Sequence, residues 1–268
     1  MLDMFGSLIG NPTAQGTDWG EQMLNTVASR SIAQLFSQSE SVDVQIRCSP
    51  SSKLLQGSID SFKMDGRGLL IRRRFPVKEM SFETDRVSID FSSVLSGGLT
   101  LKQPTQAIAE VVLTEAGINQ AFEADLVTQR LENLQLPGLE SLTGGKPVSF
   151  TGVRVQLKPG NRIQLLALAK IGVNRPEIPI VLTTTVEIER RRRIQFTNPE
   201  FVDESVPEEI RQESQQLSQA LLDALNGMVD LDRFNLDGVK LRLNRMETRQ
   251  DTLRFNGYAE ISHFPRQG

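Results

Sequence analysis

The sequence predicts an α+β fold: a long, highly curved antiparallel β-sheet wrapped around long amphipathic helices. Three observations carry this expectation. Segment after segment alternates apolar and polar residues, so each strand has one greasy face and one wet face. Turn signals, rather than helix-length crossovers, separate most of these strands. Near each end of the chain one longer stretch changes period to 3.6 and carries a single apolar stripe.

The C-terminal stripe is the clearest. Ser205 and Glu208 have the spacing of a capping box, and Pro207 suits a first helical turn. Behind them Ile210, Leu217, Leu221, Ala224, Leu225 and Met228 fall on one helical face. The period then drops to 2, with Val239, Leu241 and Leu243 alternating with Lys240, Arg242 and Asn244. Laying the helix on the apolar face of a sheet buries both stripes at once.

From the start, residues 1–16 read as a tail, and residues 17–268 as a single domain. The first ten residues lack a basic start and a long apolar core, so they do not resemble a signal peptide. A frayed tail is expected there, with a weak interfacial anchor as the alternative. Asp18 and Glu21 resemble a second capping box, followed by Leu24, Val27, Ala28, Ile32 and Leu35 at helical spacing. Val42, Val44, Ile46 and Cys48 then alternate as a half-buried strand.

Strands are expected over 53–64 and 68–75, with Asp65-Gly66 as the hairpin turn between them. Residues 86–91 and 106–113 read as further strands. Thr114 followed by Glu115 predicts a capped helix, and a second short helix is expected over 124–133. Pro137-Gly138 and Gly144-Gly145 punctuate a loop. Strands over 148–157 and 162–171 flank Pro159-Gly160-Asn161, and another runs over 178–196. The chain closes with strands over 239–247 and 252–261, with a bulge expected at Asn256-Gly257.

Composition narrows the chemistry. The single histidine, His263, and the single cysteine, Cys48, leave little material for a catalytic triad or a zinc site. Gly144-Gly145-Lys146 fails as a phosphate loop because Glu140 and Pro147 occupy positions that need Gly and Ser or Thr. Asp230, Asp232, Asn235 and Asp237 fail as a calcium loop because Phe234 stands at a ligand position. No catalytic residue, metal or cofactor is expected.

A net charge of −3, 6% aromatic residues, one Trp and one Tyr argue against nucleic acid as a partner. One cysteine suits a reducing compartment, and no run approaches the ~18 apolar residues of a membrane-spanning helix. The expectation is therefore a cytoplasmic protein, peripheral to a membrane. Two basic runs, Arg72–Arg74 and Arg190–Arg193, have two readings. They are solvated strand ends that protect sheet edges, or contacts to anionic headgroups through Arg73, Arg191 and Arg192.

A sheet curled around helices either closes a packed core or leaves an apolar cavity, and periodicity alone does not separate the two. A resemblance favours the cavity. Three stretches carry it: Val111 to Phe122; Leu221 to Leu225 continuing through Asp230 to Leu243; and Leu253 to Ile261. In this order they are similar to the LmeA-like phospholipid-binding family of bacteria, over roughly residues 18–262. That family is similar to the tubular lipid-binding superfamily, in which a curved antiparallel sheet wraps a long helix around a hydrophobic groove. The resemblance implies binding or transfer of a phospholipid or other glycerolipid, transient contact with a membrane surface, and no catalysis.

Periodicity then nominates the groove. Leu24, Val27, Ile32 and Leu35, with Leu217, Leu221, Leu225 and Met228, are expected to form one wall. Val155, Leu165, Leu182, Leu241 and Phe255 are expected to form the other. The alternative from a different class is a closed-core protein that scaffolds a membrane-associated assembly.

Overall fold

The computed structural model describes residues 19–50, 52–95, 100–173, 175–201, 205–233 and 238–263. The strands are β1 (Ser41–Arg47), β2 (Ser58–Ile59), β3 (Ser61–Ile71), β4 (Phe75–Thr84), β5 (Val87–Ser88), β6 (Thr105–Thr114), β7 (Val148–Lys158), β8 (Arg162–Ile171), β9 (Ile178–Glu189), β10 (Arg193–Phe201), β11 (Val239–Arg249) and β12 (Thr252–Ile261). The helices are α1 (Trp19–Ala33), α2 (Ser52–Leu55), α3 (Phe91–Leu95), α4 (Glu115–Phe122), α5 (Asp125–Thr128), α6 (Glu140–Thr143) and α7 (Arg211–Met228). The fold is α+β and its pairings are antiparallel, as the alternation predicts.

The strands divide into two main sheets rather than joining in one. Six pair in the order β1-β3-β4-β6-β12-β11, four in the order β10-β9-β8-β7, and β2 pairs with β5. The division falls where α4, α5 and α6 interrupt the strands between β6 and β7. Each main sheet has its own helix. Leu24, Ala28 and Ile32 of α1 bury against Val44, Ile46, Phe62 and Met64 of the six-stranded sheet. Leu217, Leu221, Leu222 and Leu225 of α7 bury against Leu165, Ile180 and Leu182 of the four-stranded sheet. Met246 and Leu253 of the larger sheet close this second core.

Local signals decide some elements and lose others. Thr114 caps α4 as expected, its hydroxyl accepting from the Gly117 N–H at 2.9 Å. Asp65-Gly66 does not turn the chain. Those residues lie inside β3, held extended by β1 on one side and β4 on the other through Asp43↔Asp65 and Asp65↔Ser81. The reversal comes at Arg72-Arg73, whose φ values are 49° and 58°, with the Arg74 N–H donating to Ile71 O at 3.1 Å. The expected strand over 178–196 is broken in the same way. Arg190-Arg191 take φ 48° and 60°, and Arg192 N–H donates to Glu189 O at 3.1 Å. Both arginine runs are thus tight hairpin turns with two left-handed residues, a geometry usually left to Gly or Asn.

The capping box at Ser205 is not used to start α7. Pro207 leads into one 3₁₀ turn, Glu208–Ile210, and α7 begins at Arg211, with no side-chain cap bond at Pro207 or Ile210. The strand expected over 86–91 shortens to β5, and the helix expected over 124–133 shortens to α5. The bulge expected at Asn256-Gly257 falls across the ladder. β12 runs regularly against β6, and the irregularity is in β11 between Leu243 and Arg245. Gly257 faces it, and a Cβ there would collide with the Arg242 carbonyl. The capping box at Asp18 and the possible anchor at residues 1–10 lie outside the described residues.

Candidate functional site

An open sheet edge offers unpaired N–H and C=O groups to any passing strand. Here each of the four outer strands is met by an asparagine amide. Asn25 of α1 accepts from Ile46 N–H of β1 at 2.7 Å. Asn119 of α4 accepts from Val155 N–H of β7 at 2.7 Å and donates to Val155 O at 3.0 Å. Asn226 of α7 does the same at Phe196 of β10, at 2.7 and 3.3 Å. Asn161, in the β7–β8 turn, accepts from Thr248 N–H at 2.9 Å and donates to Met246 O at 3.1 Å, which engages β11. Each of these edges thus has at least one backbone group engaged by a side chain.

The interior holds two distinct apolar clusters. Around α7 the packing is tight: Leu165, Leu182, Leu217 and Leu221 are each 0% exposed. Around α1 the cluster extends past the helix to the small β2–β5 pair. There a narrow apolar pocket of about 20 Å³ lies among residues that include Ile46, Ile59, Phe62, Ile89, Ala107 and Ile261. Its walls come from β1, β3, β4, β6 and β12 of the larger sheet, from β2 and β5, and from Ile89 and Leu101. Hydrocarbon side chains with two threonines, Thr84 and Thr105, make up the lining, and these two hydroxyls lie 3.3 Å apart. Such a surface suits an apolar chain by burial and shape.

The nominated groove residues separate between these clusters. Leu24 and Ile32 are buried in the α1 cluster, with Val27 and Leu35 half-buried against it. Val155, Leu165, Leu182, Leu217, Leu221 and Leu225 are buried in the α7 cluster, with Met228 and Phe255 packed on it. Leu241 is half-buried on β11 and stands outside both groups. The two helices therefore do not share one wall. Sequence reasoning missed Ile59, Phe62, Leu101 and Ala107 as pocket residues. The inward phase of β3 and β6 carried a signal for Phe62 and Ala107. The two-residue strand β2 is too short to carry any period.

The arginines also separate. Arg72 and Arg73 are exposed in the β3–β4 turn, where the Arg73 N–H donates to Ser37 Oγ at 2.9 Å. Arg74 pairs with Asp125 at 2.7 Å. Three residues of the other run are bound to the rest of the molecule, while Arg190 is exposed. The Arg191 guanidinium lies 4.8 Å from the centroid of the Tyr258 ring and donates to Asn244. Arg192 pairs with Asp232 at 2.6 Å and Arg193 with Asp230 at 2.9 Å, while Arg242 also reaches Asp232 at 2.7 Å. The Arg192 and Arg242 hydrogen bonds hold the Asp232 carboxyl below its ordinary pKa, and the Arg193 hydrogen bond does the same for Asp230. Among the described residues no cluster of three or more His, Cys, Asp or Glu side chains is arranged as metal ligands would be.

A family model for LmeA-like phospholipid-binding proteins matches residues 16–257. The match covers nearly all 268 residues. The chain belongs to the LmeA-like phospholipid-binding family. No curated protein sequence matches it. An apolar pocket lies among residues of the α1 cluster and the strands around it. Among the described residues, no helix is long and apolar enough to cross a membrane.

Proposed function

We propose that this protein binds a phospholipid or another glycerolipid without catalysis, and that the acyl chains enter between the six-stranded sheet and the β2–β5 pair. The observation that carries this reading is the hydrocarbon-lined pocket beside α1 in a member of a phospholipid-binding family. At about 20 Å³ the pocket is far smaller than the roughly 300–1,000 Å³ of sites that enclose a ligand. Lipid entry therefore requires α2, α3 and the β2–β5 pair to move off the larger sheet. These elements are short and are the natural ones to yield, because α1 is tied to β1 through Asn25 and Ser29. Leu24 and Ile32 do not line the pocket but pack in the same cluster as Ile46, Ile59 and Phe62, so an opening there would extend toward them. In this reading the α7 cluster is a packed core. Transfer of the bound lipid between membranes is the stronger form of the proposal.

A second reading has its own support. The small pocket, the filled α7 cluster and the side-chain contacts at the sheet edges also suit a closed-core scaffold. Native mass spectrometry of the freshly purified protein separates the two. A phospholipid adduct in near-stoichiometric amount, identified after organic extraction, is the expected result. A clean protein mass that persists after incubation with mixed liposomes would overturn the lipid reading in favour of the scaffold.

A further inference from the structure

The stretch from residue 141 to 176 contains no Asp or Glu, yet carries Lys146, Arg154, Lys158, Arg162, Lys170 and Arg175, in a chain whose net charge is −3. It folds into the β7–β8 hairpin. Strand alternation sends Val155, Leu157, Ile163 and Leu165 into the core and turns the basic residues outward. Two of the six are committed: Arg162 pairs with Glu200, and Arg175 with Glu213 at 2.8 Å. Arg154, Lys158 and Lys170 are exposed and form no ion pair with a described residue.

Apolar side chains lie among these cations. Leu168 is 39% exposed and Val173, just beyond β8, is 86% exposed. Leu166 lies opposite both Arg154 and Val181 in the ladders, and Leu168 lies opposite Pro179, all on the outer face. Four carboxylates lie near this face: Glu200 of β10 pairs with Arg162, Glu187 stands exposed in the outward phase of β9, Glu123 shares a polar hollow with Arg154, and Glu177 stands exposed at the start of β9.

We propose that the outer face of the β7–β8 hairpin docks on an anionic bilayer surface. Lys and Arg reach the headgroups with their long stems, while Leu168 and Val173 enter the boundary with the acyl chains. This face differs from both arginine turns. The Arg190–Arg193 turn is tied to Asp230, Asp232 and Tyr258. The Arg72–Arg74 turn has Asp125 against it. The inference deepens the lipid-binding reading by giving the surface from which lipid is collected, and its test has a separate readout.

The test is co-sedimentation of the full chain with vesicles of equal parts phosphatidylcholine and phosphatidylglycerol, and with phosphatidylcholine alone. Wild type is expected to partition onto the anionic vesicles only. The triple variant Arg154→Gln, Lys158→Gln, Lys170→Gln is expected to bind about 100-fold more weakly, as three lost headgroup contacts imply. Arg72→Gln with Arg73→Gln should bind as wild type. Absence of wild-type binding, unchanged binding by the triple variant, or loss confined to the Arg72/Arg73 variant would each overturn the proposal. Uptake of a short-chain phospholipid below its micellar concentration reports the interior site independently, and should be the same in all three proteins. The three substituted side chains are exposed, and a matching thermal midpoint will verify the fold.

Discussion

Asn119 binds Val155 as one strand residue binds another: its amide oxygen accepts from the Val155 N–H and its amide nitrogen donates to the Val155 carbonyl, at 2.7 and 3.0 Å. A helix side chain thereby completes the β7 ladder. Glu115, one turn earlier on α4, accepts from Leu157 N–H at 2.8 Å and extends the seal. On the same strand, Val148 bridges to Leu134.

Replacing Asn119 by Ala leaves two half-buried backbone groups without partners. The expected loss is roughly 1–2 kcal/mol. It is read as a lower urea midpoint, with faster amide exchange at Val155 than at β8. Equal exchange at both strands would show that the amide does not hold the edge.

The α7 cluster is densely packed. Leu221→Ala removes a side chain that is 0% exposed, and should cost about 2–5 kcal/mol of unfolding free energy. At temperatures where the variant stays folded, lipid stoichiometry should equal that of wild type. A selective loss of lipid with little loss of stability would move the ligand to α7.

Ala107 sits on the floor of the pocket beside α1 and is 2% exposed. Ala107→Phe adds a ring where the pocket has room for about 20 Å³. It is expected to prevent lipid uptake and to destabilise the fold by roughly 1–3 kcal/mol. Normal uptake by a folded variant would place the acyl chains elsewhere. Ile59→Ala, which widens the same pocket, provides the opposite perturbation.

Asp230 and Asp232 have folded pKa values below their ordinary ones, through Arg193 for the first and Arg192 then Arg242 for the second. A depressed carboxylate contributes stability that is fully present above the unfolded pKa, near 4, and is lost as pH falls through the folded value. Thermal midpoints should therefore be flat at neutral pH and fall below about pH 4. Asp230→Asn should flatten part of that fall. An unchanged acid limb in Asp230→Asn would assign the fall to other carboxylates, such as Asp60, Asp90 or Glu247, which are also depressed.

Much of this was legible from spacing. The α7 stripe, the one-sided strands, the Thr114 cap and the Pro159-Gly160-Asn161 turn are local patterns, and local geometry satisfies them. Where the reading failed, a distant partner outweighed a local preference. Asp65-Gly66 has turn chemistry, but strands on both sides claim its backbone. Arg72-Arg73 and Arg190-Arg191 have little turn preference, yet the neighbouring ladders require reversals there.

The amino-acid sequence by itself determined which residues are apolar, on which face of each element they fall, and that the chain is an antiparallel α+β protein, because side-chain period follows directly from residue order. Only the tertiary structure decided that the strands form two main sheets and a small third one, with two apolar clusters. It also decided that Arg191, Arg192 and Arg193 are spent on Tyr258, Asp232 and Asp230 while Arg154, Lys158 and Lys170 face solvent. Those outcomes depend on which faces meet across long chain separations. The free energy of that choice lies in burial and pairing between segments, which no local window contains.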